Sequence, residues 1–179
     1  YYPWIIAIPQ LGLIVFLISQ SGSRSLINFL RINNSINYKS VVIVLITVAL
    51  NLGFAAFYSI LMLSAEFDLL MPPEIPKMIL GTGWFVPINL FAIVIWVPII
   101  EEIFFRGFLL KEVAYRLGFP ASILITSLIF SALHGEAGLL VPVFLNSVVI
   151  SIVYIRFGSL VSVVMIHAIQ NLIVALVAA

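Results

Sequence analysis

Residues 85–110 read FVPINLFAIVIWVPIIEEIFFRGFLL. The run is long enough to cross the ~30 Å apolar core of a bilayer as a helix, which takes ~20 apolar residues. Its only ionisable side chains are Glu101, Glu102 and Arg106. The rest of the 179-residue chain follows the same pattern, with 64% hydrophobic and 8% charged residues. Soluble domains carry ~25% charged residues, so so few charges cannot cover a water-soluble fold of this size. The expected fold is all-α, a polytopic transmembrane helical bundle whose solvent is mostly lipid.

Six spans are expected, at about Trp4–Ser19, Val41–Ser64, Phe85–Leu110, Ala121–His134, Leu139–Tyr154 and Leu160–Val177. Trp4–Ser19 lacks the basic flank of a secretion signal, so it reads as a membrane helix. The chain starts at Tyr1, and further helices upstream are expected. Breakers separate the spans. Pro72, Pro73 and Pro76 interrupt one connection. Gly118 ends one helix and Pro120 suits the first turn of the next. Gly135 and Gly138 bracket Glu136 in a tight connection, and Gly158-Ser159 offers a stop followed by an N-cap. Residues 1–84 divide as N-terminal membrane helices and loops, and residues 85–179 as the helical core that carries the chemistry.

Lys and Arg set the orientation. Arg24, Arg31, Lys39, Arg106, Lys111, Arg116 and Arg156 fall at one set of helix ends, and only Lys77 at the other. The regular alternation supports six spans and puts the Glu101–Arg106 region nearer the cytoplasmic face. The expected location is the plasma (inner) membrane of a prokaryote, with the substrate reaching the site from the cytoplasm. A net charge of +1 gives no reason to expect nucleic acid, and the absence of cysteine removes thiolate chemistry. Any nucleophile is a hydroxyl, a carboxylate or an activated water.

Ionisable groups within a bilayer are costly and mark function by default. Three sets occur here. In Glu101-Glu102-Ile103-Phe104-Phe105-Arg106, Glu102 and Arg106 stack one turn apart in the favourable Glu-before-Arg order. Glu101 lies ~140° from Arg106 around the axis, so it points elsewhere. A carboxylate in a low-dielectric setting is driven to share a proton, as a general base must. The bland alternative is a snorkelling helix end with a surface ion pair. Pro98, one turn earlier, frees the Val94 carbonyl and predicts a local kink. The second set is Phe130 and His134, on one face; a lone interfacial histidine is the alternative. The third is His167 and Asn171, deep in an apolar run, where an interhelical hydrogen bond that glues the bundle is the alternative. Read jointly, both histidines of the chain and its only adjacent glutamate pair fall within predicted spans.

The ordered series Glu-Glu-x-x-x-Arg, Phe-x-x-x-His and His-x-x-x-Asn on successive helices resembles the CPBP (CAAX protease and bacteriocin-processing, or ABI) family, which includes the type II CAAX prenyl endopeptidases. The resemblance runs from about Phe85 to the C-terminus, with Pro98, Phe105-Arg106-Gly107 and Tyr154-Ile155-Arg156-Phe157-Gly158-Ser159-Leu160 as further matches. It implies a glutamate-dependent intramembrane endopeptidase. By this resemblance Glu101 is the catalytic carboxylate and activates water with His134. His167 and Asn171 donate to the oxyanion, and Glu102, Arg106 and Phe130 support the site. Family members often carry Gly where this chain has Asn146-Ser147, so a narrower cavity is expected.

The resemblance implies no cofactor. A zinc-dependent version of the same site would use Glu101, His134 and His167. A non-catalytic immunity or scaffold protein is the other alternative, and a proton-coupled transporter is a third. The expected partners are the lipid bilayer and a membrane-associated peptide or protein substrate, lipidated or not. Oligomeric state is not legible in the sequence.

Overall fold

A computed structural model describes residues 37–74 and 80–177, with single helical positions between residues 8 and 19. The expected span Trp4–Ser19 lies largely outside the described residues, as do Arg24, Arg31 and Lys77. Every regular element among the described residues is a helix. Four helices are long and apolar enough to cross a membrane: Tyr38–Ser64, Phe85–Ala132, Ala137–Phe157 and Leu160–Val177. Among the described residues the count is four, so the expected six are not confirmed.

The difference lies mainly in the 48-residue stretch Phe85–Ala132, which contains two of the expected spans. Gly118, with φ 80° and ψ 165°, breaks its helical geometry. A positive φ of this kind suits glycine because it has no Cβ to clash. The helices are named α1 (Tyr38–Ser64), α2 (residues 85–117), α3 (residues 119–132), α4 (Ala137–Phe157) and α5 (Leu160–Val177). After Gly118 the chain doubles back. Phe130 of α3 meets Phe105 of α2 edge to face, with ring centroids 4.8 Å apart. The Ser122 hydroxyl also donates to the Leu110 carbonyl. At 1.5 Å per residue α3 reaches only about 21 Å, too short for a ~30 Å core. It therefore ends within the depth of the bundle, and His134 follows in the turn beyond it.

Local chemistry sets the helix ends. The Asn37 side chain accepts from the Ser40 N–H at 3.0 Å and starts α1. Gly158 ends α4, and the Ser159 hydroxyl accepts from the Ser162 N–H at 3.2 Å to cap α5. The core forms where α1, α2, α4 and α5 meet, with Val44, Leu110, Ile150, Tyr154, Val163 and Ile166 buried together. Small hydroxyl residues of α3 and α4, Ser122, Ser127, Ser131, Ser147 and Ser151, are all buried. Small residues let membrane helices approach closely where lipid supplies no hydrophobic drive.

At the start of α4 the loop after α1 presses on the backbone. A Cβ added to Gly138 would sit 1.9 Å from the Met71 carbonyl oxygen. The Tyr58 hydroxyl holds the same loop by donating to the Leu70 carbonyl at 3.0 Å. Gly138→Ala is thus expected to lower the Tm in detergent by about 5 °C or more, because backbone must move. Gly53→Ala, whose Cβ would meet nothing within 4 Å, is the control and should not lower it.

Candidate active site

Helix α2 carries the glutamate pair between two widened π turns, Ala92–Trp96 and Ile103–Leu109. Such turns insert an extra residue into the helix and often occur at functional positions. Pro98 explains the first one: its ring would clash with a carbonyl one turn back, and it has no N–H to give. In the widened register the Val97 N–H donates to the Ala92 carbonyl. The next carbonyl, Ile93, would wait for a donor from residue 98, which is proline. Asn171 of α5 supplies one instead, its side-chain N–H lying 2.9 Å from the Ile93 oxygen. The expected disturbance is present, displaced from Val94 to Ile93 by the change of register.

Glu102 and Arg106 form the predicted i, i+4 ion pair, with Arg106 Nη1 2.9 Å from Glu102 Oε1. This is no snorkelling helix end, because Glu102 is 0% and Arg106 1% exposed. The second arm of the guanidinium reaches α4, where Nη2 donates to the Ser147 hydroxyl at 2.8 Å and the Ser147 carbonyl at 3.2 Å. Ser147 belongs to the pair expected to narrow the cavity, and its observed work is to fix the arginine. Sequence reasoning missed that contact; the available signal was a hydroxyl beside an amide, Asn146-Ser147, in an apolar helix.

His167 of α5 joins the same carboxylate, its Nδ1 2.9 Å from Glu102 Oε1. A carboxylate oxygen accepts, so Nδ1 carries the hydrogen. This partnership was also unforeseen, since spacing along one helix says nothing about which acid a histidine on another will meet. Glu102 Oε2 is buried without a hydrogen-bond partner, so both donors crowd one oxygen. The other ring nitrogen, His167 Nε2, faces Glu101, 3.8 Å from Oε2. Glu101 is the less buried acid, at 14% against 0% for Glu102.

Phe130 is the apolar centre of this polar group. Its ring lies 5.0 Å from the Arg106 guanidinium, 6.0 Å from the His167 ring and 5.0 Å from the His134 ring. His134 is exposed and meets the cluster through Phe130. Its Nδ1 lies 2.9 Å from the Phe130 carbonyl. A carbonyl only accepts, so Nδ1–H is the donor and Nε2 is the basic nitrogen. The structure thus brings Glu101, Glu102, Arg106, Phe130 and His167 together directly. It commits one N–H of Asn171 to Ile93 and sets His134 at the rim. Among the described residues no three His, Cys, Asp or Glu side chains form a group that could hold a metal ion.

Residues 83–173, just over half of the chain, match the family described as type II CAAX prenyl endopeptidase Rce1-like. The match spans every residue of this cluster and leaves α1 outside. No curated protein and no solved structure gave a match.

Removing one member of a buried ion pair strands the other and costs ~3–5 kcal/mol. Arg106→Met is accordingly expected to lower the Tm by about 10 °C. Glu102→Gln combined with Arg106→Met should recover more than half of that loss, because no charge is left uncompensated. Thermal melts of the two purified variants check this.

Proposed function

The chain belongs to the type II CAAX prenyl endopeptidase Rce1-like family of membrane peptidases, and we propose that it hydrolyses a peptide bond in a membrane-associated protein or peptide by means of Glu101, His134, His167 and Asn171. The observation that carries the reading is the Glu101–His167 approach of 3.8 Å, inside an apolar bundle, with His167 held from behind by the buried Glu102. That gap is too long for a direct hydrogen bond, and it sets the two groups close enough to act on adjacent atoms of one substrate.

In the proposed reaction Glu101 takes a proton from water, with His134 Nε2 steadying the other side of that water. The hydroxide adds to the scissile carbonyl carbon, and the carbonyl π electrons move to oxygen. The oxyanion is received by the His167 Nε2–H and by the second N–H of Asn171. Donation by His167 needs hydrogen on both ring nitrogens, and Glu102 and Glu101 are the acceptors at hand for them. Collapse re-forms the carbonyl and breaks the C–N bond, while the proton held by Glu101 passes to the leaving amine. Preorganised donors of this type are each worth ~10²–10³ in rate. No step calls for a metal or other cofactor.

The protein acts as an integral membrane enzyme. Counted along α5 at 1.5 Å per residue, His167 lies about 10 Å from the Leu160 end and about 15 Å from the Val177 end. The Leu160 end adjoins Arg156, so by the charge rule the cluster is nearer the cytoplasmic face. The proposed home is a prokaryotic plasma membrane, with an extended substrate, lipidated or not, approaching from that side.

The scaffold alternative draws on one observation, the depth at which Glu102, Arg106 and Ser147 brace α2 against α4. Glu101 distinguishes the two readings because neither of those hydrogen bonds uses it. With membrane-anchored peptides read by mass spectrometry, Glu101→Gln is expected to abolish cleavage without lowering the Tm. His134→Ala should slow cleavage by about 10²–10⁴. Cleavage surviving undiminished in Glu101→Gln would leave the scaffold reading standing. Incubation with a strong chelator is expected to leave the rate unchanged; loss in chelator with recovery on added zinc would reinstate the metal-dependent version.

A further inference from the structure

Three side-chain amides meet between α1, α4 and α5, and the reaction above uses none of them. Asn146 and Gln170 exchange hydrogen bonds: Asn146 Nδ2 donates to Gln170 Oε1 at 3.3 Å, and Gln170 Nε2 to Asn146 Oδ1 at 3.2 Å. The Asn51 Nδ2 of α1 also donates to Asn146 Oδ1, so that oxygen uses both of its lone pairs. Asn51 shares the inward stripe of α1 with the buried Val44, Val48 and Tyr58.

We propose that Asn51, Asn146 and Gln170 are positioning residues that fix the rotation of α5, and through it the aim of His167 at the two glutamates. The proposal rests on the peptidase reading and deepens it. Gln170 follows His167 by three residues, ~60° around the same helix, so a rotation of α5 that moves one ring moves the other amide. Asn146 directly precedes Ser147, which holds Arg106. The mutual amide pair therefore ties the helix carrying His167 to the helix carrying the arginine's anchor. Apolar packing alone resists such a rotation weakly, because in lipid one apolar helix face is nearly as well solvated as another. A bidentate amide pair has one register and loses both bonds outside it. Asn51 adds the third side and makes α1, which lies outside residues 83–173 of the family match, part of what positions the site.

The test compares Gln170→Met, Asn51→Leu and the swap Asn146→Gln with Gln170→Asn, which keeps both amides and their summed reach. Two readouts are taken on the full chain: peptide cleavage kinetics, and the ring ¹⁵N signals of the two histidines, assigned with His134→Ala. An interhelical hydrogen bond of this kind is worth ~0.6–1.7 kcal/mol. Gln170→Met is thus expected to lower kcat by about tenfold with KM within about twofold. It should shift the His167 ring signals and leave those of His134 in place. Asn51→Leu should do the same to a lesser degree, and the swap should restore most of kcat. Unchanged His167 signals with a lowered Tm would reduce the amides to bundle glue and overturn the proposal. Should wild type cleave none of the peptides while the His167 signals still move in Gln170→Met, the positioning role stands and the peptidase reading fails.

Discussion

A single carboxylate oxygen, Glu102 Oε1, accepts from Arg106 on its own helix and from His167 on α5, each at 2.9 Å. Most of the arrangement follows from it. An ionised carboxylate taken fully out of water is tolerated only with a counter-charge and hydrogen bonds. Arg106 supplies the charge, and its second arm, anchored on Ser147, decides where α4 stands relative to α2. The imidazole supplies the second hydrogen bond, and the orientation it accepts in doing so turns Nε2 toward Glu101. The two adjacent acids thereby divide the work. Glu102 is spent on structure, and Glu101 is left at the less buried position.

The backbone around the pair is shaped by another unmet demand. Pro98 cannot donate, α2 widens around it, and the Ile93 carbonyl goes to Asn171. Asn171 is thus tied to α2 from the same face of α5 that presents His167, one turn away. Two polar contacts from one helix to two points on its neighbour fix both its height and its rotation, which an apolar seam in lipid does poorly. The widened turns also separate the helix into short rigid pieces, so the glutamate pair sits on its own turn and a half between them.

Phe130 gives the site its apolar wall. It lies against the guanidinium and both imidazole rings, and the favourable edge and face contacts of an aromatic ring suit a cation on one side and neighbouring rings on others. It reaches that place only because α3 is short and doubles back at Gly118. The same shortness sets His134 in the turn after the helix, beside Phe130 at the rim of the cluster.

By itself the sequence determined the solvent, the helical class and most of the helix ends. Apolar runs of membrane length, Gly118, Pro120 and Gly158-Ser159 act through local rules that need no neighbour. It also determined the Glu102–Arg106 pair, because i, i+4 proximity belongs to any helix, and it singled out the histidines and Asn171 as polar groups in oil. Tertiary structure alone decided the rest. That Arg106 would reach Ser147, that His167 would choose Glu102, and that Asn171 would serve Ile93 depend on the heights and rotations of separate helices, which no periodicity encodes. The number of spans is open to the same ambiguity: two apolar runs joined at a glycine look alike whether each crosses the membrane or one folds back short along the other.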